Sequence, residues 1–208
     1  MPVYAGLGAK IINDVALRPA RERGILVKIL NSFDINQTGT NILANPSTDH
    51  YGVKAIANVP DYQLITVYDM RMNQKGIARK VASLFAEYDL SIDAESEGDF
   101  CKTYAVIPND NTSKLLNKLS SLGHRTTTIN RMARIALVGE GMEYIPHTNS
   151  KTANQILLET LKIQGIPLEM YTLARDSIIL SFFIHQEYTH QAITHLYSAF
   201  EFHRNGNK

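Results

Sequence analysis

Four carboxylates, Asp93, Glu95, Glu97 and Asp99, fall on alternate positions of one short segment. Side chains two apart on a strand share a face, about 7 Å from each other. Like charges at that spacing repel, their clustering raises some of their pKa values, and a cation relieves them. A second feature lies upstream, where residues 70–76 feed an amphipathic helix. A helix start offers free N–H groups and the positive end of its dipole to an anion. Gly76 at that start would let a ligand or another stretch of backbone approach closely. A small zwitterion fits both features: N–H groups for its carboxylate, Asp69 and Asp93 for its ammonium. The plainer readings are a glycine that merely opens a helix, and acids on a solvated face or in a turn beginning at Gly98.

Other chemistries find no constellation. His185, His190 and His195 are five apart, which turns each about 140° from the last on a helix. Metal ligands on a helix share a face at i, i+3 or i+4, so no metal site is expected. Cys101 falls in a predicted strand with no nearby histidine and reads as structural. Gly6-Leu7-Gly8 is too short for a dinucleotide loop, which wants three glycines after a strand. No Ser/His/Asp set is recognisable, and no catalytic residue is expected.

The elements that must hold these residues follow from periodicity. Residues 62–69 read as a β-branched and aromatic strand. A helix over 74–88 carries Ile77, Val81, Leu84, Phe85 and Tyr88 on one stripe. Strands follow at 90–95 and 100–107, then a helix over 111–122 stopped by Gly123, then a strand at 125–130. The order then restarts: a strand at 134–138, a helix at 151–163, strands at 166–173 and 177–185, and a helix at 188–200. The pattern is βαββαβ followed by a βαββα that lacks its last strand. Residues 53–59, ahead of the first copy, are the natural donor, which nests the first unit inside the second. The segment 84–93 (LFAEYDLSID) also resembles 160–169 (TLKIQGIPLE). Ahead of both units, residues 1–48 read as a helix bearing Ile11, Ile12, Val15 and Ala16, stopped by Gly24, then a strand at 25–30 and a polar loop at 31–39.

Composition narrows the class. The chain has 208 residues, 21 Lys+Arg against 20 Asp+Glu, and a formal charge of +1. That balance gives no electrostatic reason to expect nucleic acid or an anionic membrane. A single cysteine allows no internal disulfide and suits a reducing cytoplasm. No apolar run approaches the ~20 residues of a membrane span. The N-terminus lacks a charged region before an apolar one, so no signal peptide is expected.

The βαββαβ order with Gly76-Ile77-Ala78, then Leu84-Phe85-Ala86-Glu87 and Leu90-Ser91-Ile92-Asp93, resembles the first ACT module of aspartate kinases. Val138-Gly139-Glu140-Gly141-Met142 resembles the opening of the family's second ACT module. Gly8-Ala9-Lys10-Ile11-Ile12, Arg18-Pro19-Ala20-Arg21, Gly24-Ile25-Leu26-Val27, Asn31-Ser32-Phe33 and Thr38-Gly39-Thr40 resemble the end of the family's kinase domain. The resemblance runs along essentially the whole chain, in the family's order. It implies an α+β fold of two ferredoxin-like ACT modules, the first nested in the second. Residues 1–50 would be a kinase-domain remnant, 60–130 the first module, and 52–59 with 131–204 the second.

The function implied is allosteric feedback control of aspartate phosphorylation by lysine, threonine or both. Effectors would lie at module interfaces, with modules pairing side by side across subunits into a homodimer, and a catalytic kinase subunit is a possible further partner. Carried over residue by residue, effector contacts fall on Gln74, Gly76, Ile77, Ala78, Ser91, Ile92 and Asp93. Asp69, Glu95 and Glu97 join them from the charge argument, which favours lysine, with its second ammonium, over threonine. Glu169 stands alone in the second module, so binding is expected mainly in the first. Lys10 and Ile11 match the family's nucleotide contact. The family's lysine-phenylalanine-glycine-glycine motif and aspartate-rich nucleotide loop have no counterpart. This chain alone is therefore expected to hold no cofactor and not to phosphorylate aspartate; ATP and Mg belong to the full kinase.

Overall fold

The computed structural model describes residues 19–20, 22–34, 36–42, 52–69, 76–140, 142, 151–173 and 179–200. Near the N-terminus, β1 (Val27–Ile29) and β2 (Thr40–Ile42) form an antiparallel ribbon. Gly39 takes φ +63°, and a Cβ there would meet the Ile29 carbonyl oxygen at 2.3 Å. The turn between these strands therefore accepts only glycine at that point.

The rest of the described chain builds one antiparallel sheet. Its strands are β3 (Gly52–Tyr68), β4 (Ile92–Glu97), β5 (Cys101–Val106), β6 (Thr126–Glu140), β7 (Met170–Leu173) and β8 (Ile179–His185), and their spatial order is β4-β5-β3-β6-β8-β7. The helices are α1 (Ile77–Glu87), α2 (Thr112–Ser121), α3 (Ala153–Ile163) and α4 (Thr189–Ala199). Residues 62–68, α1, β4, β5, α2 and 126–130 make one βαββαβ unit. Residues 134–140, α3, β7, β8 and α4 make the second, and its fourth strand is the N-terminal part of β3. The first unit is thus nested in the second.

The expected breaks between units do not occur. Sequence periodicity separates 53–59 from 62–69 and 125–130 from 134–138, yet each pair is a single long strand. The chain accommodates Pro60-Asp61 and Asn130-Arg131 as two facing irregularities. Between the pairs Val59↔Arg134 and Tyr62↔Met132, β3 has one extra residue; between Tyr62↔Met132 and Leu64↔Ile129, β6 has one. Asp61 and Arg131 take φ of 64° and 57° to absorb the bends. A proline has no N–H for the ladder, and a bulge is where a central strand tolerates one.

Alternation along the strands then gives two apolar faces. Ile65, Val67, Tyr104 and Val106 turn toward α1 and α2, and meet Val81, Phe85, Leu115 and Leu119. Ile135, Leu137, Phe182 and Ile184 turn toward α3 and α4, and meet Leu157, Leu161 and Leu196. On the other face Tyr62, Leu64, Ala105, Met132, Met170 and Phe183 form a third cluster with no helix in it. That cluster draws on both units, and the two edge strands β4 and β7 come into contact. The sheet is rolled, with helices outside.

Three helices stop the same way. Leu90 N–H reaches the Phe85 carbonyl at 2.9 Å, His124 the Leu119 carbonyl at 3.1 Å, and Ile166 the Leu161 carbonyl at 2.9 Å. Asp89, Gly123 and Gly165 supply the left-handed residue each stop needs. The likeness of 84–93 to 160–169 is this shared stop followed by a strand. Among the described residues no helix is long and apolar enough to cross a membrane.

Candidate functional site

The start of α1 has the character an anion site needs. Gly76 is its N-cap, at φ 80°, with no side-chain cap, and the first turn holds no acid. Its first N–H groups have no partner within the helix. Among the described residues nothing lies within 4 Å of where a Gly76 Cβ would stand, and its left-handed backbone calls for glycine. Ile77 and Ala78 are half-buried against the core of the first unit. Asp69, at the end of β3, takes φ 62°. Beside this end the exposed Arg125 guanidinium stacks 4.1 Å above the Tyr68 ring, and Tyr68 N–H bonds the Arg125 carbonyl at 2.8 Å. Arg125 reads in the sequence only as the opening of a strand; it becomes a nearby cation through the β3–β6 pairing. Gln74, Lys10 and Ile11 lie outside the described residues.

The row of four carboxylates does not form. Ile92 pairs with Val106 and Ala94 with Ala105, so Asp93 is an extra residue, a bulge in β4. Ile92 packs toward the helices and Ala94 into the opposite cluster. Asp93 follows Ala94: one carboxylate oxygen accepts from the Tyr62 hydroxyl, the other from Ser91 Oγ at 3.3 Å. Glu95 and Glu97 stand opposite Tyr104 and Lys102, on the helix side. Asp99 is beyond the strand, in the turn to β5. A bulge puts two consecutive side chains on one face, which strict alternation cannot anticipate.

The cation that these acids call for is partly supplied from within. Lys102 Nζ lies 2.8 Å from Glu95, with the lysine mostly covered. Tyr104 sits beneath, fully buried, and burial, then the Glu95 and Glu97 charges, push its phenol well above the usual range. Tyr62 is raised by burial and by its bond to Asp93, while Arg134 pulls it down.

The two candidate patches are not neighbours within the chain. Ile92 is level with Val106 and Gln63, whereas Glu97 is level with Lys102 and Val67. Ser91, Ile92 and Asp93 therefore lie where the first unit's stretch of β3 begins, and α1 starts beyond where it ends. The helix alone, at 11 residues, is about 16 Å long. A free amino acid is roughly half that from carboxylate to side-chain tip, from standard bond lengths. One chain places Asp69, Gly76, Ile77 and Ala78 at one end, Ser91, Ile92 and Asp93 at the other, and Glu95 and Glu97 between.

The remaining residues are ordinary. His185 ends β8, with Nδ1 3.4 Å from Glu187, while His190 and His195 ride on α4. Cys101 is a half-buried free thiol. Among the described residues no group of His, Cys, Asp or Glu is arranged to hold a metal ion. In the second unit Glu169 lines an open cleft with Ser96, Leu168, Met170 and Tyr171, between the touching edge strands.

No protein-family model matches the chain. A curated relative, chloroplastic aspartokinase 1 of Arabidopsis thaliana, is 22% identical over 201 residues, covering 94% of this chain and 35% of that protein. The chain is similar in sequence to aspartokinases along almost its whole length. It spans about a third of that relative's length, 35%. Among solved structures, Clostridium acetobutylicum aspartate kinase superposes on this chain with a TM-score of 0.79 at 18% identity, covering 92% of this chain and 45% of that one. E. coli aspartokinase III in complex with lysine and aspartate gives 0.75 at 22%, over 95% of this chain and 44% of that one. The ligand-free regulatory subunit of aspartate kinase from Thermus thermophilus gives 0.58 at 25%, over 72% of this chain and 99% of that one. The fold of this chain is therefore that of the ACT-bearing regulatory parts of aspartate kinases.

Proposed function

We propose that the chain is an amino-acid-responsive regulatory region controlling the phosphorylation of aspartate by ATP, with lysine as the favoured effector and threonine as the alternative. The effector lies between two copies. One contributes the start of α1, with Asp69, Gln74, Gly76, Ile77 and Ala78; the other contributes Ser91, Ile92 and Asp93 of its edge strand. The observation that carries this is the separation of the two patches: each suits half of an amino acid, and the register sets them at opposite ends of the first unit, whose helix α1 of 11 residues is about 16 Å long. A two-fold pairing of first units brings complementary ends together twice. Homology over 94% of the chain, and the lysine complex of a structurally similar kinase, support the class of ligand. The kinase it acts on is either the remainder of a longer chain or a separate catalytic subunit, and ATP, Mg and aspartate bind there. Lys10 and Ile11 would contribute at most the edge of that nucleotide site. The proposed compartment is the cytoplasm.

Effector binding shifts the relative orientation of paired modules, and the coupling free energy to the kinase falls in the usual range of about 1–3 kcal/mol. Titration calorimetry with lysine and with threonine, on this chain and on Asp93→Ala, tests the site. Heat of binding in the parent chain and its loss in the variant is the expected outcome; unchanged binding removes Asp93 from the site.

A second reading is a pairing module that binds nothing. It is favoured by the internal partners of the acids, since Asp93 is held by Tyr62 and Glu95 by Lys102. Thermal shift separates the two readings, because a ligand specific for the folded state stabilises in proportion to the logarithm of its concentration over its dissociation constant. An unmoved midpoint in millimolar lysine, threonine, methionine and S-adenosylmethionine supports the pairing module.

A further inference from the structure

A line of polar groups crosses from one unit to the other on the face of the sheet away from the helices. Tyr62 lies between the two irregularities of β3 and β6 and is 2% exposed. Its hydroxyl donates to Asp93 on β4, the edge strand of the first unit. Arg134, on β6 in the second unit, lies near enough to the same phenol to hold its pKa down. The guanidinium also donates from Nε and Nη2 to Ser181 Oγ on β8, at 3.3 and 3.1 Å. Ser181 is 2% exposed, and the Tyr62 ring meets Phe183 of β8 edge-on, 5.4 Å between centroids. One tyrosine thus touches the outer strand of the first unit through its hydroxyl and β8 of the second through its ring, with Arg134 beside its phenol.

We propose that Tyr62 is a positioning residue that fixes Asp93 from the second unit, so that any displacement of the Asp93 carboxylate is felt in β8. These bonds are part-buried, and the lowered local dielectric there strengthens them relative to bonds in open water. The phenol, bonded to Asp93 and packed by its ring on Phe183, is the joint. The use of this joint in regulation rests on the effector reading above, because a ligand ammonium at Asp93 would compete with the Tyr62 hydroxyl. The joint itself does not rest on that reading and is tested without ligand.

The experiment is amide hydrogen exchange on four full-length chains: the parent, Asp93→Asn, Tyr62→Phe and the double variant. Rates in β8 (Ile179–His185) are compared with those in α2 (Thr112–Ser121) as an internal reference. Asp93→Asn is expected to accelerate β8 several-fold relative to α2 when Tyr62 is present, and to leave that ratio unchanged in the Tyr62→Phe background. An unmoved ratio in both backgrounds, or an equal rise in both, overturns the proposal. A second readout guards against mere loosening of the fold. With tyrosines labelled at the ring carbon bearing oxygen, the Tyr62 signal is the one lost in Tyr62→Phe. The groups facing its phenol are Asp93 and Arg134. Asp93→Asn should move its titration to lower pH and Arg134→Met to higher pH. Titration insensitive to Arg134→Met breaks the link to the second unit.

Discussion

Two defective chains should repair each other. Arg79 is exposed in the first turn of α1. Arg79→Asp puts a carboxylate where the effector's own carboxylate would bind, and acid at a helix start favours the helix by about 0.3–1 kcal/mol, so the fold survives. Asp93→Ala removes the acid of the edge strand and also releases the Tyr62 hydroxyl. In a symmetric pair each site takes its helix start from one copy and its edge strand from the other. Either variant alone therefore spoils both sites.

Mixed in equal amounts and allowed to exchange, half of the pairs combine one chain of each kind. Such a pair has one doubly broken site and one built from the intact helix start of the Asp93→Ala chain and the intact edge strand of the Arg79→Asp chain. Lysine capacity should return to about one quarter of the parent's. The assay is titration calorimetry on each variant and on the exchanged mixture, read as sites per chain. The geometric premise is the register that sets Ile92 level with Gln63 while α1 begins beyond Tyr68. A mixture that binds no more than its components refutes the shared site. Full binding by either variant alone removes that variant's patch.

Other consequences concern the sheet beneath the site. The Tyr104 hydroxyl is buried with no hydrogen-bond partner among the described residues, so Tyr104→Phe should stabilise by about 1 kcal/mol in urea denaturation. Tyr62 and Tyr104 are both raised from 10.0, so both bind their protons more tightly folded than unfolded. Their contribution is complete below the unfolded value and is lost as pH climbs from there through the higher folded value, so Tyr104→Phe should flatten the fall in stability above pH about 10. A Cβ at Gly139 would stand 1.9 Å from the Gly52 carbonyl oxygen; Gly139→Ala should lower the melting temperature sharply, since the backbone itself must move. Thr152 and Gln155 close a capping box on α3, so Thr152→Ala should cost about 1 kcal/mol by thermal denaturation.

The sequence carried the fold well because the signals were local. The stripes of α1 to α4, the stop at Gly123 and the missing fourth strand of the second unit all followed from periodicity and element order. What periodicity could not give was continuity. Pro60 reads as the end of a strand, but two bulges facing each other across β3 and β6 keep the ladder running through it. The site fared worse for the same reason. Alternation puts Asp93, Glu95 and Glu97 together, and a single extra residue in β4 separates the first from the others. Tyr62, Lys102, Arg134 and Ser181 carried no signal at all, because their roles depend on which strands lie side by side.

That one bulge also accounts for the difference between the two halves. Both units leave a helix through the same stop and meet an acid three residues later, Asp93 after Leu90 and Glu169 after Ile166. In the second unit the acid comes just ahead of β7, its N–H bonded to the Phe183 carbonyl at 3.1 Å, and its side chain lines an open cleft. In the first unit the bulge turns the acid to the side of Tyr62, whose hydroxyl donates to it and whose ring packs on Phe183 of β8. The two like-built units carry equivalent carboxylates, and one extra residue in the β4 ladder makes only one of them answerable to both units. An effector that engages Asp93 would therefore pull on the whole sheet, whereas the same ligand at Glu169 would disturb only an edge.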